Sequence, residues 1–249
     1  MNKAIIIQAR LSSTRLPGKV LREFSNGKTL IEIQLLRIHE LIKQNIEIIV
    51  ATSNTESDDV LVDYLATKFE WVKIFRGDLN NVMKRYYDAA VANDIETIIR
   101  VTSDCPFIDS VVISKMLQVF EDSELDYLAN TMPPDQSTFS DGFDVEIFTR
   151  EALLKQMNLP DLNLKDKEHV TFLFWRSQYF KSALFKNTQT PNFQFKLSVD
   201  TMKDFLLADT VIKEIGFMKS YDEIELFIDS DENIRNINFG IKKNSGWDL

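Results

Sequence analysis

Along the first half of the chain, short runs rich in β-branched residues alternate with longer stretches whose apolar residues recur every third or fourth position. Strands are predicted at residues 3–9, 47–51, 72–75 and 96–101, with helices between them at 30–43, 58–69 and 79–93. In the last helix Leu79, Val82, Met83, Tyr86, Ala89 and Ala90 make one amphipathic stripe. This alternation predicts βαβ units: an α/β, Rossmann-like fold with a mainly parallel sheet.

The second half is less regular. Strands are predicted at 125–130, 143–148 and 193–199, with a polar loop at 133–142 and helices at 151–157, 167–179, 201–215 and 221–228. No Pro-, Gly- or Ser-rich linker divides the chain, so one domain over residues 1–249 is expected, with an excursion near 131–190 that covers a site or meets another subunit. A length of 249 residues with 44% hydrophobic positions is enough to bury a sizeable core without covalent staples.

Charge narrows the partners. A formal net charge of −9 opposes general affinity for nucleic acid or an anionic membrane, so any cationic site must be local. The lone Cys105 excludes an internal disulfide and a cysteine-cluster metal site. With no membrane-length apolar run and an opening apolar stretch too short for a secretory signal, the cytoplasm is the expected location.

In open parallel sheets, ligands bind beyond the carboxyl ends of the strands. That rule selects residues 8–19, 51–59, 101–109 and 198–201. The first loop, QARLSSTRLPGKVL, matches neither G-x-x-x-x-G-K-[ST] nor G-x-G-x-x-G, so a phosphate there would be held partly by side chains. Arg10, Arg15 and Lys19 are the candidate cations, with Ser12, Ser13 and Thr14 as further donors and Pro17-Gly18 tightening the turn. A solvated surface loop is the plainer alternative.

Asp104 and Asp200 each follow a predicted strand, and two such carboxylates meeting over a polyphosphate suit Mg²⁺. Each also has a structural reading: Asp104 as a turn former, and Asp200 beside the capping-box pattern Thr201–Asp204. His169, near a predicted helix start, is a candidate to orient an acceptor or take its proton, or else a surface histidine. Asp141, Asp144 and Glu146 in SDGFDVEIF are candidates for binding hydroxyls of a polar substrate or for a plain exposed strand face. His39 reads as a packing or surface residue, and the DSD at 229–231 as a helix cap.

The loop at 8–21 resembles the signature loop of the cytidylyltransferases that make CMP-activated acidic sugars, the group containing 3-deoxy-manno-octulosonate and acylneuraminate cytidylyltransferases. The branch called spore coat polysaccharide biosynthesis protein F is the nearer match. It is similar also through ATSNTESDDVL, FRGDLNNVMKRYYDAA, IRVTSDCPFID, DGFDVEIFTREAL, EHVT and LSVDT, in that order. Ser12 stands where that branch usually has glycine, and Thr102 where the octulosonate enzymes have glutamine.

The resemblance implies a nucleotide-diphospho-sugar transferase fold, a homodimer, and transfer of CMP from CTP to a sugar acid with release of pyrophosphate. It implies Arg10, Arg15, Lys19 and Asp104 as catalytic residues and Mg²⁺ on Asp104 and Asp200. Gln8, Ala9, Ser13, Arg76, Thr102 and Ser103 would join Arg10, Arg15 and Lys19 around the nucleotide, and Asp144, Glu146 and His169 would face the acceptor. A non-sugar acceptor such as a phosphonate or polyol phosphate, and a nucleotide-binding protein without turnover, are the alternatives.

Overall fold

The computed structural model describes residues 2–160, 162–188 and 193–243, and among these seven strands form one sheet in the order β3-β2-β1-β4-β6-β5-β7. The first half matches the predicted alternation. Strand β1 (Lys3–Gln8) leads to helix α1 (Leu30–Ile38), β2 (Ile46–Ser53) to α2 (Asp59–Lys68), and β3 (Lys73–Gly77) to α3 (Val82–Ala92), before β4 (Thr97–Thr102). Strands β1, β2, β3 and β4 are parallel, with Ile7 registered against Val50 on one side and Val101 on the other.

Helix α4 (Ser110–Glu121) was not anticipated. Its Val111, Val112, Ile113 and Val119 favour strand locally, but Asp109 caps its start by accepting from the backbone N–H groups of Val111 and Val112. Ile113, Met116, Leu117 and Phe120 then face the core at helical spacing.

Three further strands complete the sheet: β5 (Tyr127–Ala129), β6 (Glu146–Thr149) and β7 (Ser182–Leu184). Strand β6 runs antiparallel between β4 and β5, and β7, also unanticipated, pairs with β5 in parallel.

Helix α5 (Arg150–Met157) lies as expected, but the single helix predicted over 167–179 is two: α6 (Leu164–His169) and α7 (Phe172–Arg176). Val170 interrupts them with φ +68°, a conformation costly for a β-branched residue and held here by full burial of its side chain against Phe174 and its neighbours. The strand predicted at 193–199 is absent apart from one bridge between Asp141 and Lys196. There the backbone N–H groups of Leu197 and Ser198 both donate to the Asp141 carbonyl, which replaces a ladder with a clasp. Helices α8 (Met202–Ile215) and α9 (Tyr221–Asp229) follow the expectation, and a short α10 (Glu232–Arg235) is capped by Asp231 of the DSD.

Strand alternation feeds two faces. Ile5, Ile7, Ile48, Val50, Ile99 and Val101 pack against α1, α2 and α4, whereas Ala4, Ile6, Ile49, Ala51 and Ile98 pack against α3 and α5. A third cluster joins α8 and α9 to Phe24, Phe107 and Phe143 beside the carboxyl ends of the strands. No helix among the described residues is long and apolar enough to cross a membrane.

Candidate active site

A cavity of about 290 Å³ opens at the carboxyl ends of β1 and β4. Parallel pairing sets Gln8 beside Thr102, and the Ser103 N–H donates to the Gln8 carbonyl at 3.1 Å, so the loops leaving these strands start side by side.

The first loop doubles back over residues 11–18. The Gly18 N–H reaches the Leu11 carbonyl at 3.2 Å with φ +67° at Gly18, which permits the turn into a short 3₁₀ segment, Lys19–Leu21. Its other anchor is Asp58, whose Oδ1 accepts from the Leu11 N–H at 2.8 Å while Oδ2 accepts from Thr52 and Ser53.

The second loop is braced from α1. Gln34 Nε2 donates to the carbonyls of Thr102 and Cys105 at 2.8 and 3.0 Å, and Arg37 donates to those of Phe107 and Ile108 at 3.0 and 2.8 Å. Both side chains are buried, and burial lowers the Arg37 pKa to about 10. These supports were missed from sequence; their signal was Gln34 and Arg37, long polar side chains within a largely apolar helix.

Three loops meet at Lys19. Its Nζ donates to Asp104 Oδ2 at 3.2 Å, Asp200 Oδ1 at 3.0 Å and the Val199 carbonyl at 2.7 Å. Burial opposes the ammonium charge, but the two carboxylates outweigh it and raise the Lys19 pKa. Burial likewise disfavours the Asp104 anion, yet Lys19 and local hydrogen bonds hold its pKa well below the usual carboxylate range. Asp200 Oδ1 also accepts from Arg15 at 2.9 Å, while Oδ2 accepts from the buried Lys196 at 3.1 Å. The α8 capping box is made by Thr201 and Asp204, which leaves the Asp200 side chain turned to these cations.

The far side of the cavity comes from Thr131, Met132, Asp141, Asp144, Glu146, Glu168, His169 and Arg100. Gly142, with φ +111°, lies against the backbone of Leu197 and Ser198 and lets the Asp141–Asp144 turn approach the Asp200 segment. Burial first, then the charge of Asp141, pushes the Asp144 pKa up to about 7. Glu146 is committed to a buried ion pair with Arg100 and to the Tyr127 hydroxyl, so it borders the cavity with its charge already matched. His169 sits at the end of α6 rather than at a helix start, stacks on Phe172 with centroids 4.3 Å apart, and has its pKa lowered by burial.

Of the residues selected from sequence, Gln8, Arg10, Ser13, Arg15, Lys19, Thr102, Ser103, Asp104, Asp144, Glu146, His169 and Asp200 border this one cavity. Two do not. Ala9 is buried beneath it. Arg76, on the edge strand β3, is held by the carbonyls of Ser53 and Thr55 and by Asp59 at 2.6 Å.

Residues 4–236 match the cytidylyltransferase family. The chain belongs to that family. It is 30% identical over 220 residues to the spore coat polysaccharide biosynthesis protein SpsF of Bacillus subtilis, covering 85% of this chain and 86% of that one. A cytidylyltransferase structure from Leptospira borgpetersenii superposes with TM-score 0.84 at 30% identity, covering 94% of this chain and 97% of that one. A structure of CMP:2-keto-3-deoxy-manno-octonic acid synthetase complexed with CTP shares the fold at TM-score 0.61 and 16% identity, covering 85% of this chain and 99% of the other. The expected nucleotide-diphospho-sugar transferase fold is therefore present, and the resemblance carried by the signature loop is borne out.

Asp104 and Asp200 are hard oxygen donors that border the cavity from separate loops and approach a common point, Lys19 Nζ. Among the described residues no cluster of three or more His, Cys, Asp or Glu side chains could hold a metal. Two carboxylates of this kind fit Mg²⁺ of the sort that takes its remaining ligands from phosphate and water.

Proposed function

We propose that this cytidylyltransferase-family protein transfers CMP from CTP to a hydroxyl of an acidic or amino-modified sugar, releasing pyrophosphate, for surface polysaccharide or glycan synthesis. The observation that carries the reading is the meeting of Arg15, Lys19, Asp104 and Asp200, which come from three loops far apart in sequence.

In this reading Arg10, Arg15 and Lys19 hold the triphosphate, with Ser13, Ser103 and the loop amides as further donors. Gln8 and Thr102, side by side at the strand ends, lie where the nucleoside would rest. The acceptor oxygen attacks the α-phosphorus, the bond to the bridging oxygen of pyrophosphate breaks, and that oxygen takes the electron pair. Arg15 and Lys19 stabilise the negative charge that grows there. His169, whose charged form burial disfavours, takes the hydroxyl proton. Asp104 and Asp200 would hold Mg²⁺, which supplies charge neutralisation at the phosphates. The same reading places the protein in the cytoplasm as a homodimer, with residues 131–190 at the acceptor or subunit boundary; sedimentation tests the oligomer.

The primary test is thermal melting with CTP, UTP, ATP and GTP, each with and without Mg²⁺. A ligand at about 100 times its dissociation constant adds roughly 2.7 kcal/mol, several degrees for a domain of this size. The largest shift is expected for CTP with Mg²⁺. A larger shift with another nucleotide would replace the donor, and no shift with any would remove the nucleotide from the reading.

A further inference from the structure

Lys196 is a buried cation that the sequence pattern did not single out, and it stands behind the described lining of the cavity, to which Ser198 and Asp200 belong. Its Nζ donates to the Ser198 carbonyl at 2.7 Å, to Ser198 Oγ at 2.9 Å and to Asp200 Oδ2 at 3.1 Å, and lies 3.4 Å from Asp204 Oδ2. An ammonium has three hydrogens to give, and the three shorter contacts use them. The backbone is pinned as well. Asn238 Nδ2 donates to the Lys196 carbonyl at 2.8 Å, and Lys196 bridges to Asp141 in the clasp beside Gly142.

Asp204 does not depend on this lysine. Its Oδ2 accepts from the backbone N–H groups of Asp200 and Thr201 at 3.2 and 2.8 Å and from the Thr201 hydroxyl at 2.9 Å, and its Oδ1 accepts from Asn238 at 2.8 Å. Asp200 is placed differently. Its Oδ2 is held by Lys196, whereas its Oδ1 meets the cavity-lining cations Lys19 and Arg15 at 3.0 and 2.9 Å. The two oxygens of a carboxylate are equivalent until their partners differ, and a fixed cation on Oδ2 stops the group from turning Oδ1 away from the cavity. The same contact gives a buried carboxylate a matched charge.

We propose that Lys196 is a positioning residue for the nucleotide site: it acts through Asp200, holding Oδ2 so that Oδ1 stays presented to the cavity and to the Mg²⁺ that accompanies a triphosphate. The consequence rests on the CMP-transfer reading, because Asp200 has a metal to hold only where a nucleotide polyphosphate binds. Removing a partner that orients a metal-binding side chain typically costs about 10- to 100-fold in metal affinity or activity. Lys196 itself touches neither substrate nor metal in this arrangement, so its effect passes through Asp200 and is separable from that of general positive charge.

The test titrates CTP into the full chain by calorimetry, with Mg²⁺ and with EDTA, in the wild type, Lys196→Met, Asp200→Asn and the double variant, each with a melting curve. In Lys196→Met the factor by which Mg²⁺ tightens CTP should fall roughly 10- to 100-fold, with a smaller loss in EDTA. On the Asp200→Asn background, Lys196→Met should cost no further Mg²⁺-dependent affinity, and the double variant should melt above Lys196→Met because the unmatched carboxylate is gone. If Lys196→Met alone does not fold, the comparison of Asp200→Asn with the double variant decides. Equal losses with and without Mg²⁺, an unchanged or larger Mg²⁺ effect, a further loss on the Asp200→Asn background, or a double variant that does not fold would each overturn the proposal. A wild type that binds no CTP in either condition would instead defeat the CMP-transfer reading, and the melting order of the single and double variants would still test the pairing of Lys196 with Asp200.

Discussion

The Asp58 carboxylate accepts the backbone N–H of Leu11 at 2.8 Å, and so fastens the loop after β1 to the loop after β2 across 47 residues of sequence. Burial disfavours its charge, but Leu11, Ser53 and Thr52 donate to it and hold its pKa low. Asp58→Asn presents an N–H₂ to groups that are themselves donors. The variant should lose about 1–3 kcal/mol of stability and bind CTP more weakly, because Arg10 and Arg15 ride on the loosened loop. Melting and CTP titration check this; unchanged CTP affinity in a destabilised variant would show that the loop keeps its shape unaided.

Asp104→Asn separates metal and phosphate chemistry from folding. Lys19 keeps Asp200 and the Val199 carbonyl when the Asp104 charge is removed. Turnover should fall on the order of 100-fold, while the melting temperature shifts by only about 2–4 °C. Pyrophosphate release and calorimetry check the pair, and a loss of folding as large as the loss of turnover would make Asp104 a turn former instead.

Gly142→Ala should be among the most damaging single-carbon additions. A Cβ at that position would lie 2.4 Å from Ser198 N and 2.5 Å from the Leu197 carbonyl carbon, both backbone atoms, and φ is +111°. The clasp between the Asp141 turn and the Asp200 segment must open, at a cost of roughly 2–4 kcal/mol. Urea denaturation measures it; a cost below about 1 kcal/mol would mean that the two segments slide apart freely.

Glu225 gives a stability signature away from the nucleotide. It is buried in α9, accepts from Ser140, and burial raises its pKa to about 7. An acid whose pKa is raised by folding contributes full stability below its unfolded value, and that contribution is lost as pH rises toward the folded value. Glu225→Gln should therefore gain on the wild type by on the order of 2 kcal/mol between about pH 4.5 and pH 8. Parallel melting curves at the two pH values check the sign, and a variant whose deficit grows with pH would contradict it.

The sequence alone determined the elements whose patterns are strictly local. Ile5, Ile6 and Ile7 read as a buried parallel strand, the stripe through Val82, Met83, Tyr86, Ala89 and Ala90 reads as a helix, and Thr201–Asp204 reads as a cap, because each depends on neighbours within a turn or two. The signature loop was legible for the same reason, since its three cations and Pro17-Gly18 lie together in the chain.

Tertiary structure decided the rest. Helix α4 forms against its β-branched composition because its apolar side packs under the sheet, and the predicted helix at 167–179 breaks where the buried Val170 takes a positive φ in a tight turn closed by the Thr171 N–H on the His169 carbonyl. Residues 193–199 forgo a strand because the Asp141 carbonyl takes two of their amides. Above all, Lys19 meets Asp104 and Asp200 across 85 and 181 residues. Local pattern specifies what each segment prefers; the parallel register of β1 and β4, with the Gly142 clasp, specifies which charges end up within reach of one another.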